Sequence, residues 1–178
     1  IVVFRTIFYV PCLIVTVSAT LLWGVLLDTD FGIINYLLTR VGLDKVSWLA
    51  GTGTIIASTV FINIWQSGKM MIINLAGLQG IPTTLYEAAD LDGCSKIKQV
   101  FHITLPLMTP VLFMNLLIGL IGAFKSFTLL KILTDGGPNN ASLVYMLYLY
   151  KNAFVNFKLG YANAMSVFLF ILVGALTV

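Results

Sequence analysis

Charge is what this chain lacks most. Asp, Glu, Lys and Arg make up 10% of its residues against 59% hydrophobic, and the mean hydropathy is +1.00. A soluble domain carries about 25% charged residues, so composition excludes an ordinary water-soluble globule. One histidine and two cysteines are present. His102 has no ligand-like neighbours in sequence, and Cys12 and Cys94 fall in an apolar run and a polar loop, so neither a metal site nor a disulfide framework is implied. There is no GxxxxGK[ST] and no HExxH. Every acidic residue (Asp28, Asp30, Asp44, Glu87, Asp90, Asp92, Asp135) falls in a predicted loop, which counts against a membrane-embedded hydrolase or transferase. The expectation is a chain with no catalytic residues, no metal and no cofactor of its own. A net charge of +3 gives no argument for a nucleic-acid partner.

What is present is apolar length. Charge-free runs cover 6–27, 46–68 (continuing past Lys69 toward 78), 103–124 and 159–178, and roughly 20 apolar residues cross the hydrocarbon core as a helix. None shows the alternation of a lipid-facing barrel strand. The predicted fold is all-α: a polytopic helical protein embedded in the lipid bilayer, with spans near 6–27, 50–78, 105–130 and 159–178. The first run is too long for a signal peptide and has no cleavage site. Ile1 in place of Met, and an apolar run ending at Val178, lead to the expectation of a fragment. Arg5, Lys69, Lys96 and Lys98 balance Arg40, Lys45, Lys131, Lys151 and Lys158, so the positive-inside rule gives no orientation.

The segment 80–106 is a long polar link. Pro82 ends the preceding helix and restrains Ile81. Thr84 and Glu87 have capping-box spacing. A short helix is expected through Asp92, with Gly93 in the left-handed position that ends it. Ser95 is placed to cap a second helix carrying Lys96 and Lys98, and Leu105-Pro106 to open the next span. The link is thus two short helices at a glycine elbow. It is much longer than the roughly 2–8 residues of most helix–helix connections, which argues for a docking surface.

Glu87-Ala88-Ala89, three residues, Gly93, nine residues and Ile103-Thr104-Leu105-Pro106 together resemble the EAA loop of ABC importer permeases. The run 75–82, Leu85-Tyr86, Leu91-Asp92-Gly93, Thr134-Asp135-Gly136-Gly137-Pro138, Phe31 to Asn35, and Gly160, Tyr161 and Ala164 extend the match over nearly the whole chain. They are similar to the carbohydrate-uptake branch, in its maltose and glycerol-phosphate type first permease. The resemblance implies the last four of six core helices, cell (inner) membrane localisation and a cytoplasmic coupling loop. It gives Glu87, Ala88, Ala89, Asp92, Gly93, Ile103, Leu105 and Pro106 the role of coupling to the ATPase. It also implies ATP-binding cassette ATPase subunits that bind ATP and Mg, a second permease subunit and an external solute-binding protein. Four positions depart from the pattern: Cys94 where Ala is most frequent, Lys125 and Thr128 where Gln and Asp are common, and Gly68 one residue early after Trp65. A non-carbohydrate ABC importer is the nearest alternative, and a membrane enzyme or assembly factor the alternative of a different class.

Polar groups inside a span usually face the bundle interior or a water-filled path. Asn63, Gln66, Asn115, Lys125, Ser126 and Asn163 are candidates for a solute path, with Trp65, Phe124 and Phe127 as aromatic platforms. Helix–helix hydrogen bonds explain the amides equally well, and snorkelling to an interface explains Lys125.

Overall fold

Pro11 lies in the last turn of α1 (Val2–Leu13), where its ring withholds one helical donor. Four residues after Pro11, Val15 is extended (φ −57°, ψ 135°) and α2 (Thr16–Leu26) sets off at 99° to the first helix. The computed structural model describes residues 2–177, and regular structure among them is entirely helical. The run 6–27, expected as one straight span, is therefore a sharply bent pair.

A second expected span, 50–78, is also interrupted. α4 (Thr54–Trp65) and α5 (Gly68–Gln79) are separated at Gln66 and Ser67, whose backbones sit at ψ 6° and 2°. The cause is visible in α1. A Cβ at Gly68 would lie 2.0 Å from the carbonyl oxygen of Phe8, so α1 rests on bare backbone there. The Cys12 thiol donates to the Gln66 carbonyl at 3.0 Å, satisfying an acceptor that the break releases.

Between α2 and α4 the chain folds over one amide. Asn35, in α3 (Ile33–Arg40), is buried at 1% exposure. Its Nδ2 donates to the carbonyls of Thr29 and Val46, and its Oδ1 accepts from the Val46 amide and Trp48 Nε1. Both donors and both acceptor lone pairs are used, as a buried amide requires. Above this knot Trp23, Leu27, Ile62 and Leu129 form the main apolar core, with Trp48, Trp65 and Leu133 packed against it.

The 80–106 link opens with α6 (Thr83–Leu91), and beyond the elbow helix runs with little interruption from Lys96 to Leu133. That run comprises α7 (Lys96–Gln99), a π turn over Val100–Thr104, α8 (Leu105–Phe124) and α9 (Thr128–Leu133). The span expected over 105–130 thus stops being regular at Phe124 and resumes at Thr128. α10 (Tyr145–Tyr150) leads through a second π turn (Lys151–Val155) to α11 (Leu159–Thr177). The last expected span reaches Val178, which, like Ile1, lies outside the described residues. Among the described residues, two helices, Lys96–Leu133 and Leu159–Thr177, are long and apolar enough to cross a membrane, and the α1–α2 pair is a third if counted as one bent span. α5 packs on α1 and α8, α2 on α9, and α11 on α8.

Candidate functional site

The polar link forms a compact elbow. Pro82 occupies the N-cap of α6 (φ −58°, ψ 130°), so the helix starts at Thr83 with no side-chain cap. This corrects the capping box expected from Thr84 and Glu87. Pro82 supplies the extended N-cap backbone itself, which leaves Thr84 inside the first turn. The other end behaves as expected. Gly93 is left-handed at φ 70°. The Cys94 amide donates to the Ala89 carbonyl at 2.9 Å and the Gly93 amide to Asp90 at 3.1 Å. This pair of bonds is a Schellman ending. Ser95 then caps α7, its hydroxyl accepting from the Lys98 amide.

The turn brings together side chains that are far apart along either helix. Asp90 accepts from Lys96 Nζ at 2.7 and 2.8 Å and from Gln99 Nε2 at 2.6 Å. Gln99 Nε2 also reaches the Cys94 carbonyl at 3.1 Å, and this side chain is buried at 2% exposure. Lys96 first, then Gln99, holds the Asp90 carboxyl below its ordinary value. Nearer α8, the Tyr86 and Thr104 hydroxyls are 2.8 Å apart. His102 Nδ1 lies 3.0 Å from the Lys98 carbonyl, so it is occupied locally. Asp90, Gln99, Tyr86 and Thr104 were not among the sequence candidates. Only the three-dimensional turn puts residues six and nine positions apart in contact.

Of the coupling candidates, Glu87, Ala88, Asp92, Gly93, Leu105 and Pro106 are exposed, while Ala89 and Ile103 are half-buried. Large apolar side chains stand out beside them: Leu91 is 90%, Ile97 73% and Phe101 62% exposed. Pro106 has no amide for the His102 carbonyl, and the π turn ends two residues before it, with the Leu105 amide donating to Val100.

The solute-path candidates are dispersed. Asn115 Nδ2 donates to Asn74 Oδ1 at 2.7 Å, tying α8 to α5, so it makes the helix–helix bond. Asn63 is exposed and donates to the Thr59 carbonyl of its own helix; its expected burial is corrected, because it lies on an outward face of α4. Asn163 is likewise exposed. Trp65 stacks edge-on against Trp23 at 5.4 Å, and Phe127 packs on Tyr150 at 4.9 Å. Gln66 sits at the α4–α5 break, and Lys125 and Ser126 at the α8–α9 break with Phe124 just before them. None of them lines the cavity of about 320 Å³ between Asp28, Leu49 and Pro138, or that of about 480 Å³ between Arg5, Phe8 and Leu75.

Apolar helices of spanning length, a sharply bent apolar pair beside them and an exposed helical elbow define the class: a helical membrane permease. The chain belongs to the binding-protein-dependent transport system inner membrane component family, whose model matches residues 2–178. It is 39% identical over 179 residues to the probable ABC transporter permease protein YesP of Bacillus subtilis, covering 98% of this chain and 58% of that one. It is 33% identical to the trehalose/maltose transport system permease protein MalF of Thermococcus litoralis, covering 99% and 60%. A bacterial alginate ABC transporter, solved in complex with an alginate pentasaccharide-bound periplasmic protein, superimposes with a TM-score of 0.88 at 26% identity over 97% of this chain and 61% of its own. The chain therefore spans about three fifths of the length of these relatives.

Proposed function

We propose that this chain is the membrane core of a permease subunit in an ATP-driven ABC importer for a sugar or sugar-like solute. The observation that carries the reading is the elbow: a helix with a Schellman ending and exposed Glu87, Ala88 and Asp92, flanked by the exposed apolar side chains of Leu91, Ile97 and Phe101. Exposed apolar groups rimmed by polar ones mark protein interaction sites. The carbohydrate named for MalF and the alginate named for the solved transporter support the solute class.

In this reading the chain contributes no chemistry of its own. ATP and Mg are bound by partner ATPase subunits, which dock on Glu87, Ala88, Ala89, Asp92 and Gly93 and drive the helices through Ile103, Leu105 and Pro106. A second permease subunit completes the path, and an external binding protein delivers solute. The crossings are the bent pair within 6–27, the broken pair within 50–78, and the helices within 105–130 and 159–178, with 80–106 cytoplasmic. Solute sites in such proteins gather where membrane helices are discontinuous. That favours Gln66 and Trp65 at one break and Phe124, Lys125 and Ser126 at the other, over Asn63, Asn115 and Asn163.

The test is reconstitution of the full-length permease with its partners, with uptake of labelled sugars measured against ATP. ATP-dependent accumulation supports the proposal, and its absence for every sugar bound by the cognate binding protein overturns the carbohydrate assignment. Reporter tags at Gln99 and Gly137 are expected on opposite faces, Gln99 inside. Gln99 on the outer face would remove the docking role.

A further inference from the structure

We propose that Asp90 and Gln99 are positioning residues that clamp α6 to the base of the long helix Lys96–Leu133, so that α6 and α8 move as one lever. The inference rests on the transport reading above and names residues that act through the coupling surface rather than on it.

A glycine elbow alone makes a poor lever. Gly93 has nothing within 4 Å of where a side chain would be, and glycine occupies left- and right-handed backbone about equally well. A push on α6 would then be absorbed by rotation about the Gly93 backbone instead of reaching α8. Asp90 and Gln99 close the elbow from the inside, 2.6 Å apart on either side of Gly93. The same Gln99 nitrogen holds the Cys94 carbonyl at 3.1 Å, so the two helices and the turn between them share one donor group. The Tyr86–Thr104 contact at 2.8 Å adds a tie on the membrane side.

The two partners of Asp90 are not equal. Lys96 is 76% exposed and Asp90 51%, and exposed ion pairs contribute little once screened by water and salt. Gln99 is 2% exposed. Its hydrogen bond to an ionised carboxylate is the stronger kind, and a buried amide left without that acceptor carries a desolvation penalty. The Asp90–Gln99 contact is therefore the clamp, and Lys96 keeps the carboxylate charged.

The experiment uses the assembled transporter in proteoliposomes and reads solute taken up per ATP hydrolysed. Asp90→Ala and Gln99→Ala are each expected to lower that ratio by about fivefold or more, the low end of coupling between linked sites. The double variant is expected to be no worse than either alone, as for two halves of one contact. Asp90→Asn keeps an acceptor for Gln99 while losing the ion pair, and is expected to keep most of the ratio. An unchanged ratio in Asp90→Ala, or a loss in Asp90→Asn as deep as in Asp90→Ala, overturns the clamp. A second measurement needs no clamp variant. With Cys12 and Cys94 replaced by Ala, spin labels at Thr84 and Phe101 are expected to keep one separation with and without ATP, and a separation that changes overturns the inference. Absence of ATP-dependent uptake by the unsubstituted transporter overturns the transport reading and this inference together, whereas normal coupling in Asp90→Ala overturns the inference alone.

Discussion

Two polar links are each built around a carboxylate, and they are built for different ends. In the elbow, Asp90 joins Lys96 and Gln99 across a single left-handed glycine. In the turn that follows α9, Asp135 joins Lys131 at 2.6 Å and Lys151 at 3.2 Å. There four residues are left-handed, and three of them (Asp135, Asn139, Asn140) are not glycine. Asp and Asn tolerate that region better than other side chains. The turn also packs on itself: Ser142 is buried, its hydroxyl 2.6 Å from that of Thr134 and donating to the Gly137 carbonyl. The elbow is a joint with its surface turned outward. The turn is a knot whose groups are spent on each other. A carboxylate with two amine or amide partners is thus no sign of function by itself; what separates the two links is the exposed surface around the first.

The widest gap is expected between glycine substitutions. Gly136 is left-handed at φ 90°, and an added Cβ would lie 3.0 Å from Leu143 Cδ1. Gly136→Val meets both the backbone cost, roughly 1–2 kcal/mol and more for a β-branched residue, and that contact, so thermal unfolding in detergent is expected at clearly lower temperature. Gly93→Val pays the backbone cost alone, since nothing lies within 4 Å. Its unfolding temperature is expected to fall less while uptake falls sharply. Equal stability losses, or normal uptake by Gly93→Val, would erase the distinction.

Acid is expected to loosen both links by a smaller amount. Lys131 first and then Lys151 hold the Asp135 carboxyl below its ordinary value, as Lys96 and Gln99 do for Asp90. Because the folded values are depressed, this stability is fully present above the ordinary carboxylate value of 3.8 and is lost as pH falls through the folded values. Unfolding temperature followed downward from neutral pH is expected to hold until that range and then drop. A drop between pH 7 and 5 would point to other groups.

Salt is expected to discriminate more finely. Lys96 is 76% exposed, against 33% for Lys131 and 27% for Lys151. At about 1 M salt the screening length is near 3 Å. Amide exchange around Asp90 is expected to quicken more than around Asp135, and the reverse order would mean that the elbow is the better shielded link. The mildest effect concerns the half-buried Cys94. A polar maleimide is expected to label it in inverted vesicles stripped of the ATPase, and more slowly once the ATPase is bound. Equal rates would move the contact surface elsewhere.

Much of this was legible in the chain. Apolar length gave the helical class, and Gly93 and Ser95 announced the elbow because their roles depend only on near neighbours in sequence. The breaks were harder to read. The bend after α1 needs Pro11 and an extended Val15 acting together, in a run that is otherwise uniformly apolar. The gap at Gln66 follows from α1 lying across Gly68, a contact between residues 60 positions apart that no local pattern records. The Thr84 capping box failed because Pro82 took the N-cap itself. Asp90 and Gln99 were passed over because their spacing fits neither helical face, and only the Schellman turn brings them together.

The π turn at Val100–Thr104 makes residue count an angular setting. Each such turn closes on i+5 and holds one residue more than an α turn, and each residue advances an α-helix by about 100°. Deleting any one of those five residues would let regular helix re-form and rotate everything before it by about that angle relative to α8. The Asp90–Gln99 contact would survive but point to another side of the bundle. A second π turn at Lys151–Val155, where the Asn156 amide donates to Lys151 at 2.8 Å, sets the phase between α10 and α11 in the same way. Such helices tolerate changes of side chain far better than changes of length, because an exchanged residue alters one contact while a lost one turns the whole element.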